Sequence, residues 1–153
     1  MSFENCDFDA AGSPLLKVKS SDGRNFVLLE ALDYVARDGR RFRAPIGGTS
    51  DGCSTPPEIW NAFGISWLPP FGRYWPAAYF HDGAYQNWLL LVNADGVCRQ
   101  ADLTKDQADD LFAEIMEVLN VKELERAAIY EGVHEAGWSA FREDRQAAAA
   151  ASS

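Results

Sequence analysis

Two stretches of this chain concentrate side chains able to do proton chemistry. One is Tyr79-Phe80-His81-Asp82-Gly83-Ala84-Tyr85-Gln86-Asn87, and the other is the acidic run holding Asp106, Asp109 and Asp110. On a helix each residue advances about 100°, so Tyr85 falls about 40° from His81 and Asp82 about 100°. All three point to one side, with Ala77, Ala84 and Trp88 on the His81 face. An imidazole against a core needs a partner for its second nitrogen. In the second run, Ala108, Leu111, Phe112, Ile115 and Leu119 form the apolar stripe. Asp109 lies roughly 80° from its centre, where it reaches a neighbouring helix, while Asp110 points to solvent. A carboxylate beside an imidazole fixes its tautomer and stabilises the imidazolium formed when it takes a proton. The Tyr85 hydroxyl is placed to donate to the same Asp109. The same residues would equally make a satisfied polar network that ties two helices together.

A third stretch, Thr49-Ser50-Asp51-Gly52-Cys53-Ser54, offers a carboxylate and loop carbonyls. Hard divalent cations take such oxygens, so Asp51, Asp82 and the Gly52 carbonyl form a candidate calcium set if the loop folds over the His81 helix. His134, alone in Glu131-Gly132-Val133-His134, reads as structural or solvated. The acids near Lys105 also suit a helix N-terminus by charge alone.

These groups need elements to hold them. Residues 14–46 read as an antiparallel β meander of about three strands. It comprises a short strand from Leu15 to Lys19, a longer one from Phe26 to Val35, and, after an Asp38-Gly39 hairpin, Arg41 to Ala44. Residues 46–57 read as loop, and Glu58 to Phe63 as a helical turn or two. Pro76 opens a helix from Ala77 to about Leu91, which Asn93-Ala94-Asp95-Gly96 breaks. Thr104 and Gln107 form a capping box, predicting a helix from Lys105 to about Leu119 that Asn120 ends. A last helix is expected from Lys122 to about Asp144, with Gly132 and Gly137 permitting close helix contact. The class is α+β: a β meander, then a helical half with two antiparallel helices carrying a His-Asp site. Residues 1–146 read as one domain and 147–153, in QAAAAASS, as a flexible low-complexity tail.

Composition narrows the function. A net charge of −9 argues against nucleic acid, which needs net Lys and Arg. No apolar run approaches a membrane span, and the acidic N-terminus is not a secretory signal. Cys6, Cys53 and Cys98 match no zinc spacing and fit a reducing compartment. Trp60, Phe63, Trp67, Leu68, Phe71, Tyr74 and Trp75 crowd one segment. They read either as a core-covering loop or as an exposed surface for a partner, with Trp60, Trp67, Phe71, Tyr74 and Trp75 as its contacts. The charge turns such a surface toward a protein partner rather than an anionic lipid.

Asp51-Gly52-Cys53-Ser54, His81-Asp82-x-x-Tyr85 and Asp109-x-x-Phe112 together resemble the secreted phospholipase A2 families, above all the small bacterial and fungal type. Tyr85-Gln86-Asn87 resembles their Tyr-x-Asn, and Asn61-Ala62-Phe63-Gly64 their Asn-Pro-Phe-Gly. Over roughly residues 26–140 the chain also resembles a family of uncharacterised phage and bacterial proteins with a TDGAS-like loop and an HDxxY-like helix. The phospholipase resemblance implies His81 as the base that activates a water, Asp109 as its partner and Tyr85 holding Asp109. It further implies Asp51, Asp82 and Gly52 around calcium, and an ester, typically of a lipid, as substrate. Those phospholipases carry a cysteine where this chain has Ala78, bridged to the one matching Cys53, and they lack the insert from Gly64 to Pro76. The phage resemblance implies a host-cytoplasmic or virion location. It also carries the competing expectation of a non-enzymatic virion or assembly protein that keeps the helix pair as a polar clamp and binds a partner through its aromatic insert.

Overall fold

The computed structural model describes residues 1–52, 57–65 and 71–152. Cys53, Ser54, Trp67 and Leu68 lie outside the described residues. The architecture is α+β. Strands β1 (Ser2–Glu4), β4 (Leu32–Val35), β5 (Arg41–Ala44), β7 (Leu90–Val92) and β8 (Cys98–Gln100) form one antiparallel sheet in the order β1-β4-β5-β7-β8. A smaller antiparallel sheet joins β2 (Val18–Lys19), β3 (Phe26–Leu28) and β6 (Thr49–Ser50) in the order β2-β3-β6. The helices are α1 (Pro57–Ala62), α2 (Trp75–Gln86), α3 (Lys105–Val118) and α4 (Glu123–Ser152).

The hairpin at Asp38-Gly39 joins β4 to β5, with Ala36 N–H donating to the Arg40 carbonyl at 2.8 Å and Gly39 at φ +88°. The long strand expected from Phe26 to Val35 is instead two strands in two sheets. Leu28 is held by Gly47 and Gly48 through a 2.9 Å hydrogen bond on each side. Leu29 and Glu30 then face solvent, and the chain turns before Leu32 enters the larger sheet. An apolar run does not reveal which residue carries a bend.

The second difference lies after the His81 helix. The sequence predicts a helix to about Leu91, but α2 ends at Gln86 because Asn87 takes a left-handed conformation (φ +63°) and Trp88 and Leu89 N–H groups fold back to the Gly83 carbonyl. Trp88 therefore leaves the His81 face. Its ring lies against Gly83 and Gly48, where a Cβ would come within 2.6 Å and 2.8 Å of it. Leu90–Val92 becomes a strand and returns through the turn at Asn93–Val97 as β8, adding a hairpin to the sheet edge.

Helix α3 starts at the Thr104–Gln107 capping box, and Asn120 (φ +55°) follows its end. Helices α2 and α3 run antiparallel, since His81 meets Phe112 (4.7 Å between rings) while Tyr85 meets Asp109 one turn earlier on α3. Phe80, Tyr79, Tyr34, Phe42, Phe112, Ile115, Met116 and Ile129 fill the core between the sheet and the helices. Burying side chains of this size contributes about 1.5–3 kcal/mol each, so α2 is held mainly by packing. Arg145 of α4 donates to the Ala84 and Tyr85 carbonyls at 3.0 and 3.2 Å, closing the C-terminal end of α2. Helix α4 continues through Ser152, with Ala147, Ala149 and Ala150 exposed. Among the described residues, no helix is long and apolar enough to cross a membrane.

Candidate functional site

Asp109 is fully buried, and it collects donors from both ends of its carboxylate. Oδ1 accepts the Tyr85 hydroxyl at 2.8 Å and lies 3.1 Å from His81 Nε2. Oδ2 accepts Lys105 Nζ at 2.6 Å, and His134 Nδ1 stands 3.5 Å away. Helical spacing explains the convergence. His81 and Tyr85 are one turn apart on α2, and Lys105 and Asp109 one turn apart on α3. The His81 ring lies between Tyr85 (centroids 4.1 Å) and Phe112 (4.7 Å), which fixes its plane.

The other imidazole nitrogen has a different outlook. His81 Nδ1 is 3.8 Å from Asp82 Oδ1, too long for a direct hydrogen bond. His81 and Asp82 both line an open cavity of about 430 Å³, while Asp109 lies behind His81 and does not line it. With Nε2–H given to the carboxylate, the Nδ1 lone pair is the one turned toward this space. The wall contributed by α4 is Gly132, Val133, Gly137, Ala140 and Asp144, and the β side contributes Asn25, Thr49, Ser50, Asp51 and Gly52. Gly137 is required by close approach, because a Cβ there would lie 2.6 Å from the Tyr85 hydroxyl.

The electrostatics follow from burial and neighbours. Burial opposes a charged His81, but the hydrogen bond to Asp109 and the negative charges of Asp82 and Asp109 outweigh it and raise the imidazole above its ordinary value. Burial likewise pushes Asp109 up, yet the donors His81, Lys105 and Tyr85 bring it down to about 2. Asp82 is raised, chiefly by burial and further by the charge on Asp51, against the pull of His81 and Ser50. Asp144 is raised by burial and by Asp82. The Tyr85 phenol is pushed well up by burial and by its bond to Asp109. The dyad therefore holds one firm carboxylate behind the imidazole, and the cavity holds carboxylates that are costly to ionise together.

For a metal, the cavity lining brings the Asp51 and Asp82 carboxylates, the Ser50 hydroxyl and the loop at Gly52 together beside the His81 imidazole, with Asp144 on the α4 wall. Asp51 is exposed, and the Ser50 hydroxyl accepts the Gly52 N–H at 3.1 Å. Among the described residues no group of three or more His, Cys, Asp or Glu is arranged to hold a metal ion. A hard-cation site here would therefore rest on two carboxylates and neutral oxygens, a donor set that suits calcium better than zinc.

Of the residues singled out from sequence, His81, Tyr85 and Asp109 are in direct contact, and Asp82, Asp51 and Gly52 share the cavity beside them. Asp110 is exposed and accepts the Tyr130 hydroxyl at 3.2 Å. The sequence does not single out Lys105 or Asp144 for the site, and it reads His134 as structural or solvated. Lys105 carried a signal, since it precedes Asp109 by four residues. His134 and Asp144 gave none, because their distance from Asp109 and Asp82 is set by how α4 packs. The aromatic insert divides. Tyr74, a contact in the partner-surface reading and covered in the core-covering one, is buried, because it precedes α2 against the core. Phe71 and Trp75 pack edge-on against Phe26 at 5.1 and 5.3 Å, with Phe71 still partly exposed. Trp60 lies on α1.

Residues 26–133 match the model of a family described as a protein of unknown function, DUF1353. The chain belongs to the DUF1353 family. No curated protein and no solved structure matches it. The DUF1353 segment contains Asp51, Gly52, His81, Asp82, Tyr85, Lys105 and Asp109, whereas His134, Gly137 and Asp144 follow it in the chain.

Proposed function

We propose that this DUF1353 protein is a hydrolase in which His81 is the general base and Asp109 its orienting carboxylate, acting on an ester in the cavity beside α2. One observation carries the reading. The imidazole is tied through Nε2 to a buried carboxylate, while its Nδ1 side opens on a cavity large enough for part of a substrate. His81 Nδ1 would take a proton from water as the water oxygen attacks the ester carbonyl. The tetrahedral intermediate would then collapse, breaking the bond to the alcohol oxygen, and His81 would return the proton to that oxygen. Asp109 stabilises the transient imidazolium, and Tyr85 and Lys105 hold Asp109. Asp51, Asp82 and the Gly52 carbonyl would hold a calcium ion, which when bound supplies charge to polarise the carbonyl. Phe112, Val133, Ala78 and Ala140 give the cavity an apolar side that suits a lipid chain.

The test is hydrolysis of phosphatidylcholine vesicles and of a soluble aryl ester, with calcium and with chelator, by wild type and His81→Ala. Calcium-dependent turnover lost in His81→Ala, with the fold intact by circular dichroism, is the expected result. Equal turnover in His81→Ala would sink the proposal.

A second reading draws on the saturation of Asp109. Lys105 joins the Asp109 carboxylate to the His134 carbonyl (2.9 Å) and so links α3 to α4, while His81 and Tyr85 link α3 to α2. Such a node suits a polar clamp in a virion or assembly protein. That reading expects no hydrolysis and stable co-purification with a particle or partner.

A further inference from the structure

Two histidines converge on one carboxylate. His81 Nε2 stands 3.1 Å from Asp109 Oδ1, and His134 Nδ1 stands 3.5 Å from Oδ2. They are not equivalent. His81 makes a hydrogen bond. His134 Nδ1 is buried and makes none among the described residues, although its ring is stacked on Tyr130 at 5.3 Å with the planes 11° apart. A buried ring nitrogen without a partner costs about 1–3 kcal/mol, so something must keep it from the nearest acceptor.

Lys105 occupies that place. Its side chain is 1% exposed, and its ammonium takes Oδ2 at 2.6 Å and the His134 carbonyl at 2.9 Å. The ammonium also lies 5.2 Å from the centre of the Trp138 ring. Oδ2 has room for a second donor, but a charge-assisted bond of this length is roughly twice as strong as one from a neutral imidazole N–H, so the ammonium sets which way the carboxylate faces. The carboxylate then presents Oδ1 to Tyr85 and His81, and α4 contributes no donor to it.

We propose that Lys105 is a positioning residue that assigns Asp109 to His81 by excluding His134 from the carboxylate. The functional half of this inference rests on the hydrolase reading above, but the hydrogen-bond half does not. Without the ammonium, His134 Nδ1–H is the nearest donor to Oδ2. The carboxylate is drawn toward α4, and the bond to His81 Nε2 lengthens.

The experiment is long-range ¹H–¹⁵N NMR of the histidine rings, with steady-state kinetics on the aryl ester. It uses wild type, Lys105→Met and the double variant Lys105→Met/His134→Phe, whose phenyl ring keeps the stack on Tyr130. In wild type, His81 should show the Nε2–H tautomer with a downfield, hydrogen-bonded proton, and His134 should show no such proton on Nδ1. In Lys105→Met that proton should appear on His134 Nδ1 and weaken on His81. The kcat should fall by about 10- to 100-fold, the range seen when an orienting partner is lost, with KM nearly unchanged. The double variant should return the His81 signal and most of kcat.

A hydrogen-bonded His134 Nδ1–H already present in wild type would overturn the proposal. So would a Lys105→Met spectrum in which both rings are unchanged, or a loss of kcat that His134→Phe leaves in place. If Lys105→Met does not fold, Lys105→Gln and the wild-type tautomers still decide it. Absence of turnover in wild type would count against the hydrolase reading alone, because the NMR arm reads the assignment of Asp109 directly.

Discussion

Replacing Asp109 by asparagine should destabilise the protein by about 3–5 kcal/mol, the cost of removing one partner from a buried ion pair. Asp109 is fully buried, and the Lys105 side chain is 1% exposed, so solvent cannot screen what is left behind. An Asn side chain keeps one acceptor oxygen. If that oxygen stays with Tyr85 and His81, its amide N–H₂ faces the Lys105 ammonium across a 2.6 Å gap, donor against donor. If it flips, Tyr85 and His81 lose their acceptor instead. Either way one buried donor set is orphaned. Against a domain stability of about 5–15 kcal/mol and a urea slope of about 1–3 kcal/mol per molar, the midpoint should drop by roughly 2 M. Urea titration followed by tryptophan fluorescence measures it. The double variant Asp109→Asn/Lys105→Met removes the stranded charge as well. It should cost less than the two single variants added together, with a coupling of about 1–3 kcal/mol. A single variant that loses under about 1 kcal/mol, or a double variant that is strictly additive, would refute the account of a charged node inside the helix core.

Acid should expose the same node. A folded Asp109 at about 2, against an ordinary 3.8, binds its proton more weakly than the unfolded chain does. Its contribution, about 2 kcal/mol at roughly 1.4 per tenfold, is full above pH ~4 and is lost as pH falls toward 2. The raised His81 acts at the other end, with a contribution present below its unfolded value and lost as pH rises through the folded one. Urea midpoints measured from pH ~2 upward should show the acid loss, which Asp109→Asn should flatten, and a second loss on the alkaline side of the ordinary histidine value. Gly137→Ala tests the close contact at the cavity wall. In an exposed helix this change gains about 1 kcal/mol, but here the new methyl would meet the Tyr85 hydroxyl at 2.6 Å and Lys105 Cε at 3.2 Å. Overpacking of this kind costs about 1–3 kcal/mol, so thermal unfolding should move down, and a rise in melting temperature would contradict the packing described.

Local chemistry wrote much of this protein into its sequence. The Asp38-Gly39 turn, the Thr104–Gln107 capping box and the stop at Asn120 rest on contacts within a few residues, so the residue types alone announce them. The pairing of His81 with Tyr85 on one helix face, and the inward aim of Asp109 beside outward Asp110, follow from helical periodicity, which any sequence displays. Other features depend on which element comes to lie beside which, and no local pattern encodes that. The bend at Leu29-Glu30, which sends one apolar run into two sheets, is one. The end of α2 at Asn87 is another, since Trp88 folds back only because Gly48 and Gly83 leave room for its ring. The remainder belongs to α4. His134, Gly137 and Asp144 lie twenty-five or more residues beyond Asp109 and read as ordinary helix. Only the packing of α4 against α2 and α3 brings His134 to the Asp109 carboxylate and its carbonyl to Lys105, sets Gly137 on the Tyr85 hydroxyl and places Asp144 in the cavity wall. Periodicity settles which way a side chain faces along its own helix, but what stands opposite is decided by the burial of apolar surface across the whole fold.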